Sequence, residues 1–305
     1  MMTDFLFMDE IAEFIKCQRV PRLLYKKGMC TEGYFTPYMN LSDHTKAKFL
    51  TDTEARIPVT VRFSKVFSEY GASDTKRDAA GFFVRFFTEE GRFDMLAHSI
   101  PIPAEIRNPA GIIKLIETFK KKDDSPAPDD KAIFELAASD ESFIPFIMRY
   151  FSNDTTIKSY RNIMGYAMND YVLVNDAGER RAVSFVWRPV SGKKNISRQE
   201  AEFLAGYDSS AAMRDMADAI FAGKYPQYDL EMYTAHDEGG ADTAEGEKMT
   251  VGRLTIDAVA DSCASEEIGF TPLNVVPGIE LAGSEFNNFT AFAFNESARV
   301  RGGMR

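Results

Sequence analysis

An arginine inside an apolar strand calls for an anion. Arg62 lies in the run Val59-Thr-Val-Arg-Phe-Ser64, where Val59, Val61 and Phe63 alternate with Thr60, Arg62 and Ser64. That period of two sends an apolar row to one face and a polar row to the other. A buried guanidinium there is most readily held by an anionic ligand or a buried carboxylate. Carboxylate recognition is therefore the first chemistry the sequence suggests. Metal chemistry is not expected. The three histidines, His44, His98 and His236, are scattered, and Cys17, Cys30 and Cys263 form no close pair. No metal-ligand spacing appears. Three unpaired cysteines suit free buried thiols in a reducing, cytoplasmic setting.

These residues need elements to position them. A second strand follows, in which Phe82, Val84 and Phe86 alternate with Phe83, Arg85 and Phe87. Both of its faces are bulky, so it is expected to be covered on both sides. The polar connection 71–78 joins the two strands, and Gly81 admits the chain to the second. Residues 3–17 read as an amphipathic helix with Met8, Ile11, Ala12 and Ile15 on one face, packing on the barrel or on a second subunit. Residues 171–187 read as a hairpin turning at Asp176-Ala-Gly178. Ser197 and Glu200 form a capping box that opens a helix through Leu204, and Asp208 opens another that ends before Gly223. Residues 228–233 and 250–257 read as late strands. The segments 120–130 and 235–248 read as polar surface loops, the second mobile. His236, inside the second, is given no role.

The 305 residues carry a net charge of -10, with 45% hydrophobic and 27% charged residues. This is the composition of a globular chain. The charge argues against nucleic acid and anionic membrane surfaces as partners. No apolar run reaches transmembrane length. The start, MMTDFLFMDEIAEF, lacks the pattern of a signal peptide.

Three motifs follow in order: R-F-S at 62–64, S-D-T-x-R-D-x-x-G-F at 73–82, and E-x-G-x-x-D at 89–94. They resemble the core of the haem catalases without gaps. With a few gaps the resemblance covers nearly the whole chain. It implies an α+β fold, an antiparallel β-barrel of about eight strands with peripheral helices. Residues 1–21 would form an N-terminal helical arm and 22–305 the core domain. A barrel of that size leaves room for side chains and one small ligand, and the family's haem lies beside it. The chain resembles the small, core-only members of the family, which implies a homodimer.

The resemblance also assigns a site. The distal catalytic histidine of the family falls on Tyr25, and its distal asparagine on His98, with Ser64 beside them. A tyrosine with a pKa near ~10 is a poor base at neutral pH. A lone histidine is most often a structural residue, and its pocket position is what gives His98 a functional reading. The segment 101–109 departs from the family's aromatic haem wall. The loop Gly269-Phe-Thr-Pro to Pro277-Gly-Ile-Glu280 matches the family. Counted from it, the tyrosine that ligates haem iron falls on Phe294, and the arginine that lowers its pKa falls on Thr290. Phenylalanine cannot ligate iron, and the axial ligand is a main control of haem chemistry. The three arginines that hold haem propionates fall on Arg22, Arg62 and Arg301, all present. They would hold a ligand carboxylate or pair internally with Asp78 or Asp94.

Three functions are compatible with this pattern. The first is a catalase-fold protein without catalase activity or Tyr-ligated haem, and with no cofactor. Its barrel cavity would bind a small, partly apolar organic carboxylate, with His98 as general base and Tyr25 as general acid in isomerase, hydratase or lyase chemistry. The second is a haem peroxidase or hydroperoxide-converting enzyme, its iron ligated from the former distal side by His98 or Tyr25, or held weakly. The third is a non-catalytic binding protein.

Overall fold

The structure is a computed structural model that describes residues 5–17, 22–119, 130–234, 247–260 and 268–303. Most of the polar loop at 120–130, most of the acidic connector with His236, and Cys263 lie outside the described residues.

Among the described residues, ten strands form one sheet: β1 (Gly28–Pro37), β2 (Ile57–Lys65), β3 (Ala80–Thr88), β4 (Gly91–His98), β5 (Gly165–Ala167), β6 (Tyr171–Val174), β7 (Arg180–Pro189), β8 (Gln227–Thr234), β9 (Lys248–Val259) and β10 (Ile279–Leu281). The order is β10-β6-β7-β5-β4-β3-β2-β1-β9-β8, and a further β7–β8 pairing closes it. Eight strands thus form an antiparallel barrel, with β6 and β10 attached outside β7. The two strands read around Arg62 are β2 and β3, paired antiparallel with Val61 opposite Val84.

Alternation then sorts the side chains. Phe63, Phe82 and Phe86 point inward with Phe35, Trp187 and Tyr228, and all six are fully buried. Phe82 stacks on Trp187 at a centroid distance of 5.7 Å and meets Phe63 at 4.8 Å. Aromatic pairs at such distances fill a barrel of this size. The expectation of a ligand inside the barrel is therefore corrected: the interior is packed core.

The opposite row, Arg62 and Ser64 of β2, Phe83 of β3 and Leu96 of β4, faces outward. A second core covers it. That core is built by α3 (Pro109–Phe119), α4 (Asp130–Ser139), α5 (Ile144–Phe151) and Phe294 of the last helix. In chain order the remaining helices are α1 (Phe5–Cys17), α2 (Lys48–Thr51), α6 (Arg198–Tyr207), α7 (Ala211–Phe221) and that last helix, α8 (Glu285–Gly303). Ile11 and Ile15 of α1 bury themselves against Phe289 of α8 and beside Ile112 and Ile113 of α3. The N-terminal helix therefore docks on helices rather than on the barrel.

The capping box at Ser197 and Glu200 forms, and α6 runs three residues past Leu204. Asp208 does not open α7. The Asp74 carboxylate accepts the Ala212 and Met213 N–H groups from a distant loop, which caps the helix in its place. The hairpin forms as read, with Gly178 in its turn at φ +81°.

Candidate functional site

A row of residues crosses the barrel wall at one end: Gly28 of β1 opposite Ser64 of β2, then Gly81 of β3, then His98 of β4. Two glycines in this row leave an opening, and Tyr25 fills it. Tyr25 precedes β1 and is the one described non-glycine residue with positive φ, +58°. A bulky residue held there costs on the order of 1–3 kcal/mol. Its N–H donates to the Val66 carbonyl at 2.9 Å, which fixes the backbone. The ring then lies over Gly81, where a Cβ would come within 3.1 Å of Tyr25 Cδ1 and 2.8 Å of Ser64 Oγ.

Tyr25 and His98 meet directly. The Tyr25 hydroxyl lies 2.7 Å from His98 Nε2, and both side chains are buried. Burial lowers the His98 pKa to about 4. Burial first, and then the Asp78 charge, pushes the Tyr25 phenol far above its ordinary value. Both groups are therefore neutral at pH 7. The Met168 sulfur, 4.0 Å from the hydroxyl, is a much weaker acceptor than an imidazole nitrogen. We therefore assign the Tyr25 proton to the bond with Nε2, which leaves the His98 hydrogen on Nδ1. Ser64 Oγ sits beside the pair, buried, with no hydrogen-bond partner among the described residues.

The other side of the site is α8. Phe294 stacks on Tyr25 at a centroid distance of 6.0 Å with 28° between the rings. Phe83 stands edge-on to both, at 4.8 Å from Tyr25 and 5.8 Å from Phe294. Phe83 was not singled out in the sequence; its signal was the second bulky face of β3. Thr290, one turn before Phe294, is buried and points into an amide network, accepting from Asn169 at 2.7 Å and donating to the Asn287 carbonyl at 3.0 Å.

A small apolar cavity of about 100 Å³ opens at these rings, lined by Tyr25, Phe83 and Phe294 and also by Arg22, Arg301 and Ser297. Arg22 donates to the Ile268 carbonyl at 3.0 Å. Arg62 does not line this cavity. It is fully buried behind Gly28 and reaches the Lys26 carbonyl at 3.4 Å. Two of the three sequence-predicted arginines are thus brought to one pocket and the third is held in the wall. Asp94 is clasped bidentately by Arg85 at 2.6–2.7 Å, a cross-strand pair that sequence reading missed. Asp78 accepts from the Phe67 and Ser68 N–H groups and the Ser68 hydroxyl.

On the far side of the Tyr25–His98 bond lies a larger polar cavity of about 750 Å³. His98, Arg107, Asp170, Tyr166 and Ser184 line it, with Arg107 paired to Asp170 at 2.7 Å. The bond is thus part of the wall between an apolar pocket and a polar one.

Comparison with known proteins adds a family. The model of the catalase family matches residues 1–305. A catalase from Methanosarcina barkeri is 30% identical over 313 residues, covering 97% of this chain and 62% of that protein. Catalase-1 of Arabidopsis thaliana is 30% identical over 317 residues, covering 99% of this chain and 64% of the relative. The crystal structure of a fungal catalase superposes with a TM-score of 0.87 at 26% identity, covering 99% of this chain and 63% of that one. The chain spans roughly half to two thirds of the length of such relatives.

The expectation of no cofactor does not stand. A family match over the whole chain, with relatives named catalase, makes haem the group to consider in this pocket. The residues fit it on one side only. Arg22 and Arg301 suit its carboxylates. On α8, however, Phe294 offers no donor to iron. A flat macrocycle between two rings also needs two contacts of about 3.5–4 Å, roughly 7–8 Å in all, against 6.0 Å between Tyr25 and Phe294.

Proposed function

The chain belongs to the catalase family, and on that premise we propose that it uses the fold to hold an apolar carboxylate rather than to dismutate hydrogen peroxide. The observation that carries this reading is the Phe294 ring. It stacks on Tyr25 at the position where the resemblance expects an iron-ligating tyrosine. Haem, itself an apolar dicarboxylate, is the first ligand to test in the pocket.

The chain's residues divide the work. Arg22 and Arg301 line the pocket and hold the carboxylate. Phe83, Phe270 and Phe294 give the apolar part its walls. At about 100 Å³ the pocket is well below the ~300–1,000 Å³ of typical ligand sites. A ligand larger than a short acid requires the Tyr25 and Phe294 rings to part. Binding is favoured over acid–base turnover by the state of His98. An efficient general base has a pKa near the working pH, and burial holds His98 near 4.

Titration calorimetry with a short-chain carboxylic acid and its amide of equal length tests this. The acid is expected to bind and the amide to bind at least tenfold more weakly. Equal binding of the two would overturn the carboxylate reading.

A further inference from the structure

Tyr25 has the surroundings of a tyrosine that can give up an electron. A phenol loses an electron readily only when its proton can leave at the same time, because the oxidised phenol is a strong acid. Tyr25 has its acceptor in place: His98 Nε2, 2.7 Å from the hydroxyl. The imidazole is neutral, so it can accept. His98 also lines the polar cavity, so the proton has a way onward from the site. Phe83 and Phe294 pack against the ring and keep water from it.

The other tyrosines with described hydroxyl partners lack this arrangement. Tyr150, Tyr171 and Tyr228 donate to backbone carbonyls, which cannot take a proton. Tyr38 and Tyr233 donate to carboxylates, but Asp229 is already paired with Arg253, and Glu231 with Arg188 and Lys248. Burial opposes ionisation of Glu231, yet the hydrogen bonds from Arg188 and Lys248 bring its pKa down to about 2, and Tyr38 is exposed to water.

We propose that Tyr25 and His98 form a redox-active pair. An oxidant of the one-electron class takes an electron from Tyr25, the O–H bond breaks, and its proton moves to His98 Nε2. The products are a neutral tyrosyl radical, a protonated His98 and the reduced oxidant. The reverse step restores the pair. The pair acts whichever ligand the pocket holds.

The test uses the full chain, with photogenerated tris(bipyridine)ruthenium(III) as oxidant and rapid freezing for electron paramagnetic resonance. Wild type is expected to give a tyrosyl signal that carries coupling to isotope-labelled histidine nitrogen. Tyr25→Phe should lower its yield at least fivefold. His98→Asn, which removes the proton acceptor, should lower it comparably. The histidine coupling is read in wild type, so the test survives a variant that fails to fold. Absence of a signal, an undiminished signal in folded Tyr25→Phe or His98→Asn, or a radical without histidine coupling would each overturn the proposal.

Discussion

The Tyr25 hydroxyl and His98 Nε2 stand 2.7 Å apart with both side chains withdrawn from water. Burial, joined at Tyr25 by the Asp78 charge, sets the state of each residue. Neutral His98 accepts, and protonated Tyr25 donates.

Acid acts on the fold through His98. The His98 pKa falls from 6.5 to about 4 on folding. Between those values the unfolded chain binds more protons than the folded one, so stability falls as pH falls. The full shift amounts to about 3 kcal/mol, at ~1.36 kcal/mol per pKa unit. Buried Asp74, Asp78 and Asp170, whose pKa values are raised, contribute with the opposite sign. The comparison that isolates His98 is therefore between wild type and His98→Asn. Urea unfolding from pH 4 to 7 should show wild type losing more stability on acidification than the variant. Parallel curves would contradict the assignment.

Ser64 gives an unusual expectation. Its hydroxyl is buried and has no partner among the described residues. Removing an unsatisfied buried polar group costs little and can stabilise. Ser64→Ala should be neutral or stabilising by up to ~1 kcal/mol in urea unfolding. A loss above ~1.5 kcal/mol would mean that the hydroxyl has a role in the folded chain.

The arginines should separate by position. Arg22 and Arg301 line the pocket, whereas Arg62 is held in the wall. A hydrogen bond to a charged group is worth ~1.5–3 kcal/mol, or roughly a ten- to hundredfold change in Kd. Arg301→Gln and Arg22→Gln should weaken binding of a short carboxylic acid by that factor and leave binding of its amide unchanged. Calorimetry that finds acid and amide weakened alike would point to altered packing instead.

Restoring the family's arginine on α8 should fail. Thr290 is buried in the Asn169–Asn287 network. Thr290→Arg places an unpaired cation there and strands the Asn169 amide. A loss of about 3 kcal/mol or more is expected. Urea unfolding within ~1 kcal/mol of wild type would show that the site accepts the larger residue.

Much of this was legible in the sequence, and the reasons are specific. Alternation at Val59–Ser64 and Phe82–Phe87 gave β2 and β3, because strand period and burial agree there. The bulky outer face of β3 signalled cover on both sides, which Phe83 fulfils under Tyr25 and Phe294. Alternation does not say which row faces the barrel interior, so the ligand was expected inside a core that six aromatic side chains fill. The Tyr25–His98 bond joins residues 73 positions apart and needs a tyrosine at φ +58° over Gly81. Neither backbone sign nor side-chain direction is written in residue types. Asp74 capping α7 was hidden for the same reason: the partner lies 138 residues away.

α8 presents Phe294, not an iron donor, to the pocket. The decisive measurement is oxygen evolution from hydrogen peroxide by the wild-type chain supplied with haem, beside an equal amount of free haem. The protein is expected to evolve oxygen no faster than free haem. Turnover many-fold above free haem by the wild-type chain would mean that the pocket supports catalase chemistry despite Phe294.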